Sequence, residues 1–166
     1  MTKALERKIG LPAPDAKVLT DIETCGWHVV RVFSQPGDEA PEWAYSIGLF
    51  HSFGHPEVIV FGLPLDRCHR IINEVGSGIK AGKKYESGPE YDDVLADPYK
   101  CVFRPVRQRY YRDHVGYALW FYEKDPFLLL QCFWPDKKGL FPWAADCNSY
   151  VKDAQPLLFL PDESRA

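Results

Sequence analysis

No apolar stretch in this 166-residue chain approaches the roughly 20 residues a membrane-spanning helix needs, and the opening MTKALERKIGLPAP carries no hydrophobic leader. A cytoplasmic protein is therefore expected. Cys-x-x-Cys pairs are missing as well: Cys25, Cys68, Cys101, Cys132 and Cys147 are odd in number and widely spaced. A disulfide framework prefers an even count in a shorter secreted chain, so reduced thiols, mostly in the core, are expected. There is no Walker loop, no Gly-x-Gly-x-x-Gly following a strand and no Gly-x-Ser-x-Gly. Those gaps argue against the common nucleotide hydrolases, Rossmann dehydrogenases and α/β-hydrolases. Positive charge is not in excess either. A net charge of −3 speaks against a protein that coats nucleic acid or an anionic membrane, while leaving room for a local basic site.

What the chain does have is an ordinary apolar content of 46% and an aromatic content of 14%, with five Trp and nine Tyr, enough for one core and for broad flat surfaces. Residues 1–13 read as a flexible arm, 14–161 as one domain and 162–166 as a tail. The spacing of Val18, Leu19, Ile22 and Cys25 predicts a first helix, with Asp15 as its cap and Gly26 just past its end. Trp27–Phe33, Trp43–Phe50 and Glu57–Leu63 read as three strands of an antiparallel meander. Pro64 opens a helix carrying Leu65, Cys68, Ile71, Ile72, Val75 and Ile79 inward, with Gly76, Gly78 and Gly82 fraying its end. A long acidic loop, Lys83–Pro98, precedes a fourth strand in YKCVFRPV. RQRYYRDHVGYALWFYEKD reads as an aromatic helix with Tyr111, Val115, Ala118, Leu119 and Tyr122 inward. PFLLLQCFW is a fifth strand, and QPLLFLP a last edge strand. The expected fold is α+β: a mainly antiparallel sheet with helices packed on it.

The segments AYSIGL, HPEVIVFGLP and LLLQCFWPDKKGLFPW resemble an uncharacterised bacterial family, the domain of unknown function numbered 4262, over about Ile22 to Leu160. That resemblance implies a family and no mechanism. The order of meander, PEVIVFGLP and helix is also similar to flavin-reductase-like split barrels, which makes a split-barrel variant of the fold an expectation at fold level alone.

Four groups of residues are candidates for chemistry. His51 and His55 lie four apart, with Ser-Phe-Gly between them and Pro56 after. A metal-binding His-x-x-x-His needs both imidazoles on one helix face, and this context argues against a helix. The pair, with Glu57, is expected to form a structured turn at a pocket rim, without metal; Cys68 or His69 would be the further ligands of the metal alternative. Cys25 and His28 form a Cys-x-x-His, but a nucleophilic pair needs an exposed thiolate beside a base, and Cys25 falls on the apolar stripe. Arg104, Arg107, Arg109 and Arg112 crowd a strand-to-helix junction with Tyr110 and Tyr111 among them. This run fits an anion site, and it equally fits a solvated face paired with the acidic EYDD of residues 90–93. Trp134 and Trp143 flank a turn holding Asp136, as a clamp or a pocket mouth. Glu57, Asp136 and Asp146 are candidate carboxylates with no identifiable pairing.

Three functions fit these residues. The first is binding of an anionic, partly aromatic small molecule, such as a nucleotide or flavin, with Arg104, Arg107 and Arg109 on the anion and Tyr45, Trp134 or Trp143 as the aromatic wall. The second is a protein-interaction module of the immunity or accessory kind. The third is a metal-dependent or Cys/His enzyme. They predict, in turn, an arginine-lined concavity, a flat apolar patch, and converging His, Cys and Glu side chains.

Overall fold

A computed structural model describes residues 13–37 and 40–160; the proposed arm and tail, apart from Ala13, lie outside the described residues. The chain forms one open sheet between two layers of helices. Its elements are α1 (Ala13–Cys25), β1 (His28–Val32), β2 (Trp43–Ile47), α2 (Leu49–Phe53), β3 (Glu57–Phe61), α3 (Leu65–Lys80), β4 (Glu90–Tyr91), β5 (Cys101–Pro105), a 3₁₀ turn (Gln108–Tyr110), α4 (Tyr111–His114), α5 (Gly116–Tyr122), β6 (Leu129–Phe133) and α6 (Ser149–Ala154). The strand order is β1-β2-β3-β6-β5-β4. β1, β2 and β3 make the antiparallel meander, β3 and β6 run parallel, and β5 pairs antiparallel with β6 and with β4. The order does not close into a barrel. No described helix is long and apolar enough to cross a membrane.

Alternation along the central strands sends every second side chain to each face. On one face, Tyr45, Ile47, Ile59, Phe61 and Leu129 pack with Val18, Leu19 and Ile22 of α1 and with Tyr111, Val115, Ala118, Phe121 and Tyr122 of α4 and α5. On the other, Ala44, Val58, Val60, Leu130, Cys132 and Phe103 meet Cys68, Ile71, Ile72, Val75 and Ile79 of α3 and Val151 and Ala154 of α6. β3 and β6 are buried along their whole length, as the unbroken apolar run of β3 requires of a central strand.

Several expectations need correction. The second strand stops at Ile47, and residues 49–53 are a short helix between two left-handed glycines, Gly48 and Gly54, so His51 is helical after all. The glycines of α3 do not fray it. The helix runs to Lys80, and Gly76 lies where a Cβ would stand 2.5 Å from the Trp27 ring, so its missing side chain is what lets the indole lie against the helix. Trp27 Nε1 then donates to Asn73 Oδ1 at 2.9 Å. The aromatic helix is divided into the 3₁₀ turn, α4 and α5, and Leu119 is half-buried where the other four predicted inward residues are buried. QPLLFLP adds no strand. Instead the buried Gln155 side chain pairs with the Trp134 backbone, accepting from its N–H at 3.0 Å and donating to its C=O at 2.9 Å. Cys25 is exposed, while the four other cysteines are buried, and all five are free thiols.

Candidate functional site

The histidine turn has a structural explanation. Gly48, Leu49 and Phe50 open α2 with backbone N–H groups that the helix itself cannot satisfy. The Glu57 carboxylate, fully buried at the start of β3, accepts from all three, at 2.9, 3.1 and 3.2 Å. It also accepts from the Ser46 hydroxyl at 2.8 Å and, in a short contact, from the Tyr122 hydroxyl. Both hydroxyls are fixed by accepting backbone N–H groups in turn, from Val58 and His51. Burial pushes the Glu57 carboxyl above the ordinary carboxylate range, against the pull of the Tyr122 and Ser46 hydroxyls and of the N–H groups. With both oxygens occupied and no exposure to solvent, this carboxylate holds structure.

His55 is buried between Pro56 and Tyr85. Its Nδ1 lies 2.8 Å from the Pro56 carbonyl and its Nε2 accepts the Tyr85 N–H at 3.0 Å, which fixes the neutral tautomer protonated on Nδ1. Burial lowers its pKa, as it does for His51, whose ring meets the edge of Phe121. His28 Nδ1 lies 2.7 Å from Asp21 Oδ2. Among the described residues no group of three or more His, Cys, Asp and Glu is placed to hold a metal ion.

Two residues expected to wall a ligand site are core. Tyr45 is 3% exposed, its hydroxyl accepting from the Tyr117 N–H, and burial raises its pKa to about 12. Trp134 is buried with Nε1 donating to the Phe61 carbonyl at 2.7 Å. Arg109 is exposed and lies over its neighbour Tyr110 at 5.3 Å. Arg112 lines a surface cavity of roughly 290 Å³ with Gln108, Lys124 and Phe127.

The remaining three candidates do come together. Arg104 on β5 and Gln131 on β6 are register partners, so they share one sheet face with Val102 and Phe133. That corner is covered by Phe141, Leu157 and Phe159, from segments of irregular backbone. The Arg104 guanidinium sits 4.6 Å from the Trp143 ring centre and 5.2 Å from that of Phe159. Trp143, 37% exposed, stacks on Phe141 at 5.2 Å and meets Phe133 and Phe159 edge-on. Arg107 follows two residues past β5, exposed, with its Nε donating to the Phe159 carbonyl at 2.9 Å. Asp136 shapes the loop that delivers Trp143, accepting from the N–H groups of Lys138, Leu140 and Asn148; the Leu140 bond leads in holding its carboxyl below the usual range.

The electrostatics of this corner are unbalanced. Among the described residues the ion pairs are Lys17–Asp21, His28–Asp21, Lys83–Asp93 and Lys84–Glu86, so the acidic loop pairs with lysine and none of these pairs involves Arg104 or Arg107. Arg104 Nε and Gln131 Oε1, one donor and one acceptor, are buried without hydrogen-bond partners among the described residues. Sequence reasoning had reason to single out the arginine and the tryptophan by type. It had none to single out Gln131 or Phe159, which read as interior of a strand and as part of an edge.

An α+β domain with a capped internal helix and an arginine–aromatic corner is thus what the fold and side chains define. The chain belongs to the family described as domain of unknown function DUF4262, whose model matches residues 21–148. No curated protein and no solved structure matches it.

Proposed function

We propose that this domain is a cytoplasmic binding module for an anionic, partly aromatic small molecule of the nucleotide or flavin kind, held at the corner formed by Arg104, Arg107 and Trp143. The observation that carries the reading is the half-buried Arg104, its guanidinium stacked on two aromatic rings, its Nε buried, and no ion pair to it among the described residues. A charge drawn out of water without a counter-ion is costly, and a bound phosphate or carboxylate offsets that cost with charge-assisted, geometrically matched hydrogen bonds. The exposed Arg107 adds a second positive group, and the partly exposed Trp143 offers an aromatic edge beside it.

The test is a thermal-shift screen of inorganic phosphate, nucleoside monophosphates and flavin mononucleotide at fixed ionic strength. A ligand that binds only the folded chain raises Tm by mass action. Arg104→Met, which keeps the stem and removes the charge, should abolish the rise. A flat response across the screen would overturn the reading. It would favour the second one, a protein-interaction module, for which the exposed Phe33 (63%) and Tyr150 (70%) speak; Tyr150 also lines a shallow groove of roughly 510 Å³ with Pro41, Leu63 and Pro64.

A further inference from the structure

We infer that the shallow groove at the sheet end where β1 and β3 finish is a docking site for a cationic, apolar peptide segment of a partner protein. An arginine or lysine of that segment sets against Tyr150 and Asp153, and a neighbouring apolar side chain against Pro41, Leu63 and Pro64. The inference goes beyond the small-molecule reading above and does not depend on it. None of the residues lining the groove belongs to the corner of Arg104, Arg107 and Trp143.

Three segments build the groove: residues 40–42 before β2, residues 62–64 after β3, and one face of α6. The first two are tied together by the Gly62 N–H, which donates to the Glu42 carbonyl at 2.9 Å. Gly62 has a φ of 86°, and a Cβ there would stand 2.5 Å from the Ala154 carbonyl oxygen, so glycine is what lets this turn lie against α6. Tyr150, Asp153 and Ala154 are three and four residues apart and fall on one face of that helix. The walls are therefore set before anything binds, which lowers the ordering cost of association.

The charge of the lining is of one sign. Glu42 and Asp153 are its charged residues, and neither has an ion pair among the described residues. The one cation of α6, Lys152, is held by the Ala145 carbonyl at 3.0 Å. The acidic field is felt inside the domain as well: burial pushes the Cys68 thiol up to about 11, and the charges of Glu42 and Asp66 push the same way. A carboxylate one helical turn from an aromatic ring suits a guanidinium or ammonium, which takes the ring face and the carboxylate together. Tyr150 is 70% exposed, which leaves its ring to the partner. Pro41 and Pro64 supply apolar surface and no backbone N–H, so the segment is held by its side chains and not added as a strand. Phe33, 63% exposed and next in sequence to the lining residue Ser34, extends the apolar surface. Nucleic acid and anionic membrane are repelled by the two carboxylates. A small-molecule site would enclose most of its ligand, whereas a shallow groove with an exposed aromatic anchor has the anatomy of a protein interface.

The experiment selects a random heptapeptide phage library on the unmodified chain and on the double variant Glu42→Gln/Asp153→Asn. The enriched sequence is then titrated as a synthetic, end-capped, labelled peptide by fluorescence anisotropy. The unmodified chain should enrich sequences with arginine or lysine beside a large apolar residue, and the double variant should not. The peptide's Kd should rise at least about fivefold in the double variant, the size expected from two exposed charges, and rise again with added salt. Tyr150→Ser should weaken binding by a similar factor. Asp153 and Tyr150 are exposed, so these variants should keep the unmodified urea midpoint, and Tyr150→Ser decides by itself if the double variant does not fold. No enrichment, enrichment of acidic or uncharged sequences, or an unchanged Kd in the variants would overturn the inference. Binding of N-acetylarginine amide as tight as that of the peptide would overturn it in favour of a small cation. A concentration-dependent dimer in sedimentation velocity, lost in the double variant, would overturn it in favour of a second copy of this chain.

Discussion

Replacing Glu57 by Gln swaps one acceptor oxygen for an NH₂ group in a site where every neighbour donates. The amide would face either the Leu49 N–H and the Ser46 hydroxyl, or the N–H groups of Gly48 and Phe50 together with the Tyr122 hydroxyl. The first placement is the milder, and it still leaves a buried backbone N–H opposed to another donor. A buried donor left opposed or unpaired costs about 1–3 kcal/mol. In a domain of this size each kcal/mol moves Tm by about 2–4 °C, so the loss should be roughly 2–12 °C. Urea unfolding followed by tryptophan fluorescence gives the free energy directly, and unchanged steepness of the transition confirms that only stability moved. Tyr122→Phe removes one of the same donors, and the double variant should show coupling of at least about 0.5 kcal/mol with Glu57→Gln. A loss below about 1 kcal/mol in Glu57→Gln would refute the claim that this carboxylate organises α2.

The buried His55 gives a pH dependence. Its folded pKa lies below the ordinary 6.5, so the unfolded chain binds the proton more readily, and the stability His55 contributes is present above about pH 6.5 and lost as pH falls toward its folded value. Urea midpoints should therefore fall from pH 7.5 to 5.5, and His55→Gln should reduce the difference, the lowered His51 and His69 supplying the rest; an unchanged slope would place the titration elsewhere. Gly76→Ala gains helix propensity of about 1 kcal/mol, yet its Cβ would meet the Trp27 ring at 2.5 Å, so net destabilisation and a shifted Trp27 environment are expected by thermal melt and near-ultraviolet circular dichroism. A stabilised variant would contradict the close packing. Thiol titration of the native chain should find one fast cysteine, Cys25, and five only after denaturation; two or more fast thiols would show the core to be open.

The parts of the fold legible in the sequence are those set by local pattern. β3 announced itself as an unbroken apolar run, and α3 by apolar spacing behind Pro64, because burial on one or both faces writes itself directly into residue order. The meander followed from turn residues between such runs. α2 was hidden because its cap comes from the Glu57 side chain across the next loop, while the flanking glycines and Pro56 carry the signature of a turn. QPLLFLP has strand composition, but Gln155 occupies the Trp134 backbone, just past β6, with its side chain, a partnership no periodicity reveals. Tyr45 and Trp134 illustrate the same limit at the candidate site. Aromatic type says that a ring is available and says nothing of whether it faces solvent or core. Arg104 and Trp143, thirty-nine positions apart, were each suspect alone, and only the register of β5 against β6 brings them to one corner with Gln131.

The most direct measurement is a phosphate and GMP titration followed by ¹H–¹⁵N correlation spectra that resolve arginine Nε–H and tryptophan indole Nε1–H signals. The account predicts saturable shifts of the Arg104 Nε–H and the Trp143 indole with GMP, of the arginine signals alone with phosphate, and none for the Trp134 indole, which is held by the Phe61 carbonyl. Unmoved Arg104 and Trp143 signals at saturating GMP, or shifts spread evenly over every arginine on the surface, would contradict it.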